Sequence, residues 1–206
     1  MKARKVKGID PEAPLVDGVH RIIEVRLDEL CSFMPRAADP EEITALHDMR
    51  IAAKRLRYLL EMFAPCFGDY AATAAKRAKE LQDLIGEIHD CDVTLPRVLG
   101  LLTELRAHDA DEVLGLAAED AEDLDPALAA GAPHAEAFRG LESLAIYLQA
   151  RRRLLFARFL AEWTDLQRHG FRPRLEYALG ERPAPTTPSR NGAGPSAAPP
   201  TSEPSP

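Results

Sequence analysis

Cysteine is scarce in this chain, with only Cys31, Cys66 and Cys91 among 206 residues. Three scattered thiols cannot build a disulfide framework, and none falls in a Cys-x-x-Cys zinc pattern, so they read as small core residues. No apolar run approaches the ~18 residues of a membrane span. The basic start, MKARKVKGIDPEAP, has no apolar stretch behind it and is not a secretory signal, which makes a cytoplasmic location the expectation. Glycine is sparse and no alternating β-branched run occurs, so strands are not expected. A net positive charge is missing as well: the formal charge is −7, which excludes a protein whose whole surface attracts nucleic acid.

What is present is enough apolar residue, 46%, for a substantial core, arranged with helical spacing. Residues 1–14 read as a flexible basic N-terminus and 15–180 as one helical domain. Residues 181–206, rich in Pro, Ala and Ser, read as a disordered tail that cannot bury enough surface to fold. The fold class expected is all-α, an antiparallel helical bundle. A first helix runs from about Val16 to Met34. Asp39 as N-cap with Pro40 at N1 starts a second, which ends near Ala64. A third begins near Tyr70, and Pro96 bends it or starts another turn. Residues 104–125 carry nine acidic side chains against Arg106 alone and form a solvated helix or loop that could fold over a basic groove. A long last helix spans 136–168, and a short one follows Pro173.

The cations are patterned. In HDMRIAAKRLRY, residues 47–58, His47, Arg50, Lys54 and Arg57 follow a 3-4-3 rhythm one residue out of phase with the core seam of Leu46, Met49, Ala53, Leu56 and Leu60. At 100° per residue they form a stripe within an arc of about 80° beside that seam, and Arg55 falls on the other side. Side-by-side cations repel by a few tenths of a kcal/mol per pair, a cost that a bound anion would relieve. On the third helix Lys79, Gln82 and His89 flank the core arc, with Gly86 among them. Glycine costs ~1 kcal/mol inside a helix and marks a close approach to the backbone. On the last helix Arg151 and Arg158 lie along one edge of the buried face and Arg152 towards the other. Arg26 falls within the apolar seam of the first helix, where a snorkelling side chain is the plain reading. Shoulders of antiparallel helices that meet would form a groove with cationic walls, suited to a linear polyanion such as a phosphate chain.

These residues carry a resemblance. HDMRIAAKRLRYLLEMFAPCFGD followed by LQDLIGEIHDCDV resembles the CHAD domain, the conserved histidine α-helical domain, over roughly residues 16–180. His47, Arg50, Lys54, Arg55 and Arg57 match its H-x-x-R-x-x-x-[KR]-[KR]-x-R helix. Leu81, Ile85, Gly86 and Asp90 match its second segment, and LQARRRLLFARFLAEW looks like its arginine-rich helix. The resemblance implies non-catalytic binding of inorganic polyphosphate in a basic cavity, without a cofactor. It also implies a setting beside triphosphate-tunnel (CYTH) enzymes, other polyphosphate-metabolising proteins or polyphosphate granules. The binding set it suggests is His47, Arg50, Lys54, Arg55, Arg57, Lys76, Lys79, His89, Arg151, Arg152 and Arg158. The usual domain has two related four-helix halves, whereas the histidine-led motif occurs once here. Either one short bundle makes a shallower groove, or a homodimer completes one.

Two rivals stand beside this reading. A helical adaptor could use the stripe to bind an acidic protein or nucleic acid, although Tyr58 is the sole aromatic among the cations and base stacking needs more. A metal-dependent HD phosphohydrolase could use His47-Asp48 and His89-Asp90 with His20 or Asp92, but neighbouring cations would oppose a metal at His47.

Overall fold

The computed structural model describes residues 2–118 and 121–181. Among them there are six α-helices and no strand, as the sequence pattern requires: α1 Leu15–Ser32, α2 Met34–Ala37, α3 Ile43–Phe63, α4 Tyr70–Gly115, α5 Ala135–Arg168 and α6 Phe171–Gly180. The tail expected to be disordered from 182 on lies outside the described residues. No helix among the described residues is long and apolar enough to cross a membrane.

The pairing of α4 with both neighbours is antiparallel. His47 of α3 meets His89 of α4, and Arg57 meets Gln82, so the numbers run in opposite senses. Arg77, Glu87 and Arg106 of α4 likewise pair with Glu162, Arg151 and Glu142 of α5. The apolar stripes converge on one core, in which Ile23, Leu27, Leu30, Met49, Leu56, Leu60, Leu81, Ile85, Ile88, Phe159, Leu175 and Leu179 are sealed from solvent. Each such side chain contributes about 1.5–3 kcal/mol. The core cluster ends at Val98 on α4, and the first α5 residue packed on it is Leu141.

Two helix starts depart from expectation, and no new helix begins at Pro96. α3 starts at Ile43 rather than at the Asp39–Pro40 signal. Asp39 Oδ1 accepts from the Glu41 amide at 2.9 Å, which closes a local turn instead of capping a helix. The Pro40 carbonyl is turned towards α5, where it accepts from Arg152 Nη2 at 2.7 Å. Pro96 neither ends α4 nor starts a new helix; α4 runs through it for 46 residues. The proline removes one hydrogen bond, to the Asp92 carbonyl, but Leu95 and Val98 on either side pack into the core and hold the helix. α6 begins at Phe171, ahead of Pro173, because Gly170 (φ +66°) turns the chain there in a conformation other residues adopt at a cost.

Two buried charges are also new. Arg26 does not snorkel: its guanidinium is bonded to Glu29, which is 1% exposed. Glu29 Oε1 also accepts from the Arg4 amide at 3.1 Å and lies 3.4 Å from Arg55 Nη1. The chain around Arg4 is thereby fixed to α1, and Arg26 Nη2 donates to the Arg4 carbonyl. The acidic stretch is not wholly solvated either. Its residues 104–115 belong to α4, and Asp109 is 6% exposed and held by His134. Among the described residues, the stretch reaches α5 and its N-terminal turn through Arg106–Glu142 and Asp109–His134.

Candidate functional site between the third and fourth helices

The amphipathic phase of α3 decides what faces α4. Leu46, Met49, Ala53, Leu56 and Leu60 are buried, so the stripe one residue out of phase lies on the shoulder of the buried face. α4 presents the matching shoulder. At 100° per residue, Lys79, Gln82, Gly86 and His89 share an arc of about 80°.

The two shoulders meet in register. The rings of His47 and His89 lie with centroids 4.6 Å apart and planes tilted by 40°. A Cβ built on Gly86 would stand 3.3 Å from Arg50 Nε, so the missing side chain is the space the guanidinium uses. Arg57 Nη1 donates to Gln82 Oε1 at 3.4 Å, and its Nε donates to Glu61 Oε1 at 2.7 Å. Lys54 is exposed, and both it and Arg57 approach the Tyr58 ring, at 5.8 and 5.2 Å from its centroid.

Among the described residues, two polar atoms in this contact find no hydrogen-bond partner: His47 Nδ1 and Arg50 Nε, both buried. Leaving a buried donor unsatisfied costs about 1–3 kcal/mol, more for a charged group. The His47 pKa is pushed below the ordinary histidine value. Burial is the main cause, followed by the facing His89 and, more weakly, by Arg50, with Asp48 acting in the opposite direction. His47 is therefore neutral at pH 7 and adds a charge only if something stabilises its protonated form.

The other cations of the expected set lie elsewhere. Arg55 is on the far side of α3, in the ion cluster with Glu29 of α1. Arg151 reaches across to α4, but to Glu87 at 2.6 Å and the Cys91 sulfur at 3.6 Å. Glu87 points about 100° away from Gly86 around α4, so Arg151 sits on the opposite shoulder. Arg158 lies there too, beside Glu80, Asp83, Glu87 and Glu162 around a shallow depression of about 470 Å³. Arg152 is bonded to Asp92 and to the Pro40 carbonyl, tying α5 to α4 and to the turn before α3. Lys76 is exposed and loosely paired with Glu80 at 3.9 Å, whereas exposed Lys79 shares the groove shoulder with Gln82. Residues that spacing alone did not single out are the acids: Glu29 and Glu87 each claim an arginine, and only the pairing of helices reveals which.

The structure thus brings together His47, Arg50, Lys54, Arg57 and His89, with Lys79 on the same edge, and separates them from the arginines of α5. A larger cavity of about 790 Å³, lined by Met34, Leu160, Trp163 and Phe171, lies between α5, α6 and the end of α1. Its lining is mostly apolar, with Gln167 and Arg172 as the larger polar members, and has none of these cations. Of the groups proposed for a metal-dependent HD site, Asp92 is occupied by Arg152 and His20 pairs with Glu24 at 3.3 Å.

No curated protein and no solved structure matches the chain. The family model of the CHAD domain matches residues 3–99, from the segment docked on α1 to the part of α4 beyond the groove. The match includes every residue of the α3–α4 contact and stops before α5, whose arginine-rich segment lies outside it. Over residues 3–99, just under half of its length, the chain is thus similar to the CHAD domain family.

Proposed function

We propose that the α3–α4 groove binds inorganic polyphosphate and does not transform it. The observation that carries this reading is the buried, unpartnered Nδ1 of His47 and Nε of Arg50, set in a row of cations against a glycine. From His47 to Arg57 the row spans about 15 Å at a 1.5 Å rise per residue, longer than one phosphate group and suited to charges repeated along a strand. Among the described residues Arg50 and Lys54 take part in no ion pair, so no described carboxylate neutralises their charge. The binding set of this reading is His47, Arg50, Lys54, Arg57, Lys79 and His89.

A nucleic-acid or acidic-protein partner is the second reading. It is favoured only by the exposed Tyr58 ring, whose neighbours Lys54 and Arg57 approach it. One aromatic offers one stacking platform, whereas strand-tracking proteins use several.

Titration of the full chain with polyphosphates of defined length, with duplex DNA as competitor, tests both. Affinity that rises with chain length, falls steeply with salt and resists DNA supports polyphosphate. Binding displaced by equimolar DNA phosphate, or no binding at all, would overturn it.

A further inference from the structure

The second histidine pair of the chain lies in a different setting. Beyond Val98 and before Leu141 the hydrophobic core is absent, and α4 and α5 continue side by side as an arm. On the α4 side of this arm only Leu102 and Asp109 are buried. Asp109 is a carboxylate withdrawn from water at a place where an exposed position would cost nothing. Among the described residues it makes no ion pair with lysine or arginine; its partner is His134, in the turn that starts α5. His134 Nδ1 lies 2.5 Å from Asp109 Oδ1, and the His134 amide donates to Oδ2 at 3.4 Å. The exposed ring of His108 meets that of His134 edge-on, with centroids 5.2 Å apart.

His108, Asp109 and His134 each offer one ligand atom, and these atoms lie within 4.8 Å of one another. We propose that the three side chains form a binding site for one divalent metal ion of the zinc type. Two imidazoles and a carboxylate leave a fourth position for water, the ligand set of open tetrahedral zinc sites. Nitrogen donors favour zinc and its transition-metal neighbours over magnesium and calcium, which take oxygen. Ligand atoms about 2.0–2.2 Å from such an ion stand about 3.3 Å apart, so assembly requires rotation of the exposed His108 ring and a slight parting of Asp109 from His134.

The electrostatic surroundings support the assignment. Glu104, Asp111, Glu112 and Glu136 lie within a turn or so of the ligands in sequence, and the nearby Arg106 is engaged with Glu142. His47 and His89, by contrast, face each other among Arg50, Lys54 and Arg57, which repel a dication. The fold therefore keeps one histidine pair for anions and another for a cation. A bound ion would clamp residues 25 positions apart and close the arm where apolar packing has ended.

The test uses the chelator-treated full chain in a phosphate-free buffer. Calorimetric titration with zinc chloride should give one ion per chain and a raised melting temperature, and magnesium should give neither. Tetrahedral cobalt(II) absorption should develop with the same stoichiometry. His108→Ala, at an exposed position, should weaken zinc binding at least tenfold with helicity unchanged, while His47→Ala leaves it intact. Absence of zinc binding, unchanged affinity in His108→Ala, or loss of affinity in His47→Ala would overturn the proposal.

Discussion

His47 and His89 face each other from antiparallel helices with ring centroids 4.6 Å apart, and the Nδ1 of His47 is buried without a partner. Two imidazoles at this distance cannot both be charged at low cost, and Arg50 adds a third positive group. His47 is held neutral by burial and by its positive neighbours, and an anion arriving in the groove would reverse the balance.

Polyphosphate affinity should therefore rise as pH falls through the histidine range. The folded His47 takes up a proton less readily than an unfolded histidine, so the fold itself loses stability below about pH 6.5. A polyanion beside His47 favours the protonated form, and linkage converts that preference into tighter binding at mildly acidic pH. Calorimetry at pH 5.5, 6.5 and 7.5 should show the trend in the native chain. His47→Gln should flatten it; equal slopes in both proteins would leave His47 as scaffold.

Arg50→Ala and Lys54→Ala should each weaken polyphosphate binding about tenfold, the equivalent of one charge-assisted contact at roughly 1.5 kcal/mol. The salt dependence should become shallower in both, as one counterion-releasing contact is lost. Far-ultraviolet circular dichroism should be unchanged. Arg158→Ala, on the opposite shoulder of α4, should change affinity less than threefold. Equal losses at Arg50 and Arg158 would mean the ligand does not follow the α3–α4 groove.

Gly86→Ala separates folding from binding. Alanine is favoured over glycine by about 1 kcal/mol inside a helix, and the flexible end of Arg50 can give way to a Cβ 3.3 Å from its Nε. Melting temperature should hold or rise while polyphosphate affinity falls about threefold, because Arg50 is displaced. Gly86→Leu should deepen the loss. Retained affinity in both variants would show that the opening at residue 86 is mere packing space.

Glu29→Gln should destabilise the protein by about 3–5 kcal/mol, the usual cost of leaving a buried arginine without its carboxylate. Chemical denaturation would measure it. Replacing Arg26 by Met together with Glu29→Gln should recover part of the loss, since no buried guanidinium is then left without its carboxylate.

Much of the fold is legible in the periodicity. The buried positions of α3 and α5 recur every three or four residues, and the glycine at 170 and the Pro/Ala/Ser-rich tail punctuate the chain. The α3 stripe could be read for the same reason, since angle around a helix is a property of sequence. What could not be read is the neighbour each angle meets. Arg151 and Arg57 look alike on helical wheels, yet one meets Glu87 and the other Gln82. Asp39 is a good helix cap that the structure spends on a turn, because the Pro40 carbonyl is drawn to Arg152. Asp109 appears in sequence as one acid among many, and only the return of the chain at His134 buries it.

The contrasting flanks of α4 have a consequence for the molecule in solution. One flank carries Glu80, Asp83 and Glu87 to neutralise the guanidinium groups of its neighbour; the other carries an amide, an imidazole and a bare backbone position, which neutralise nothing. Neutralised and un-neutralised cations are thus sorted to opposite sides of a single rod, and a chain with a formal charge of −7 keeps a local positive edge along one of them. Such an object turns in the field of an approaching polyelectrolyte and meets it with its minority sign foremost.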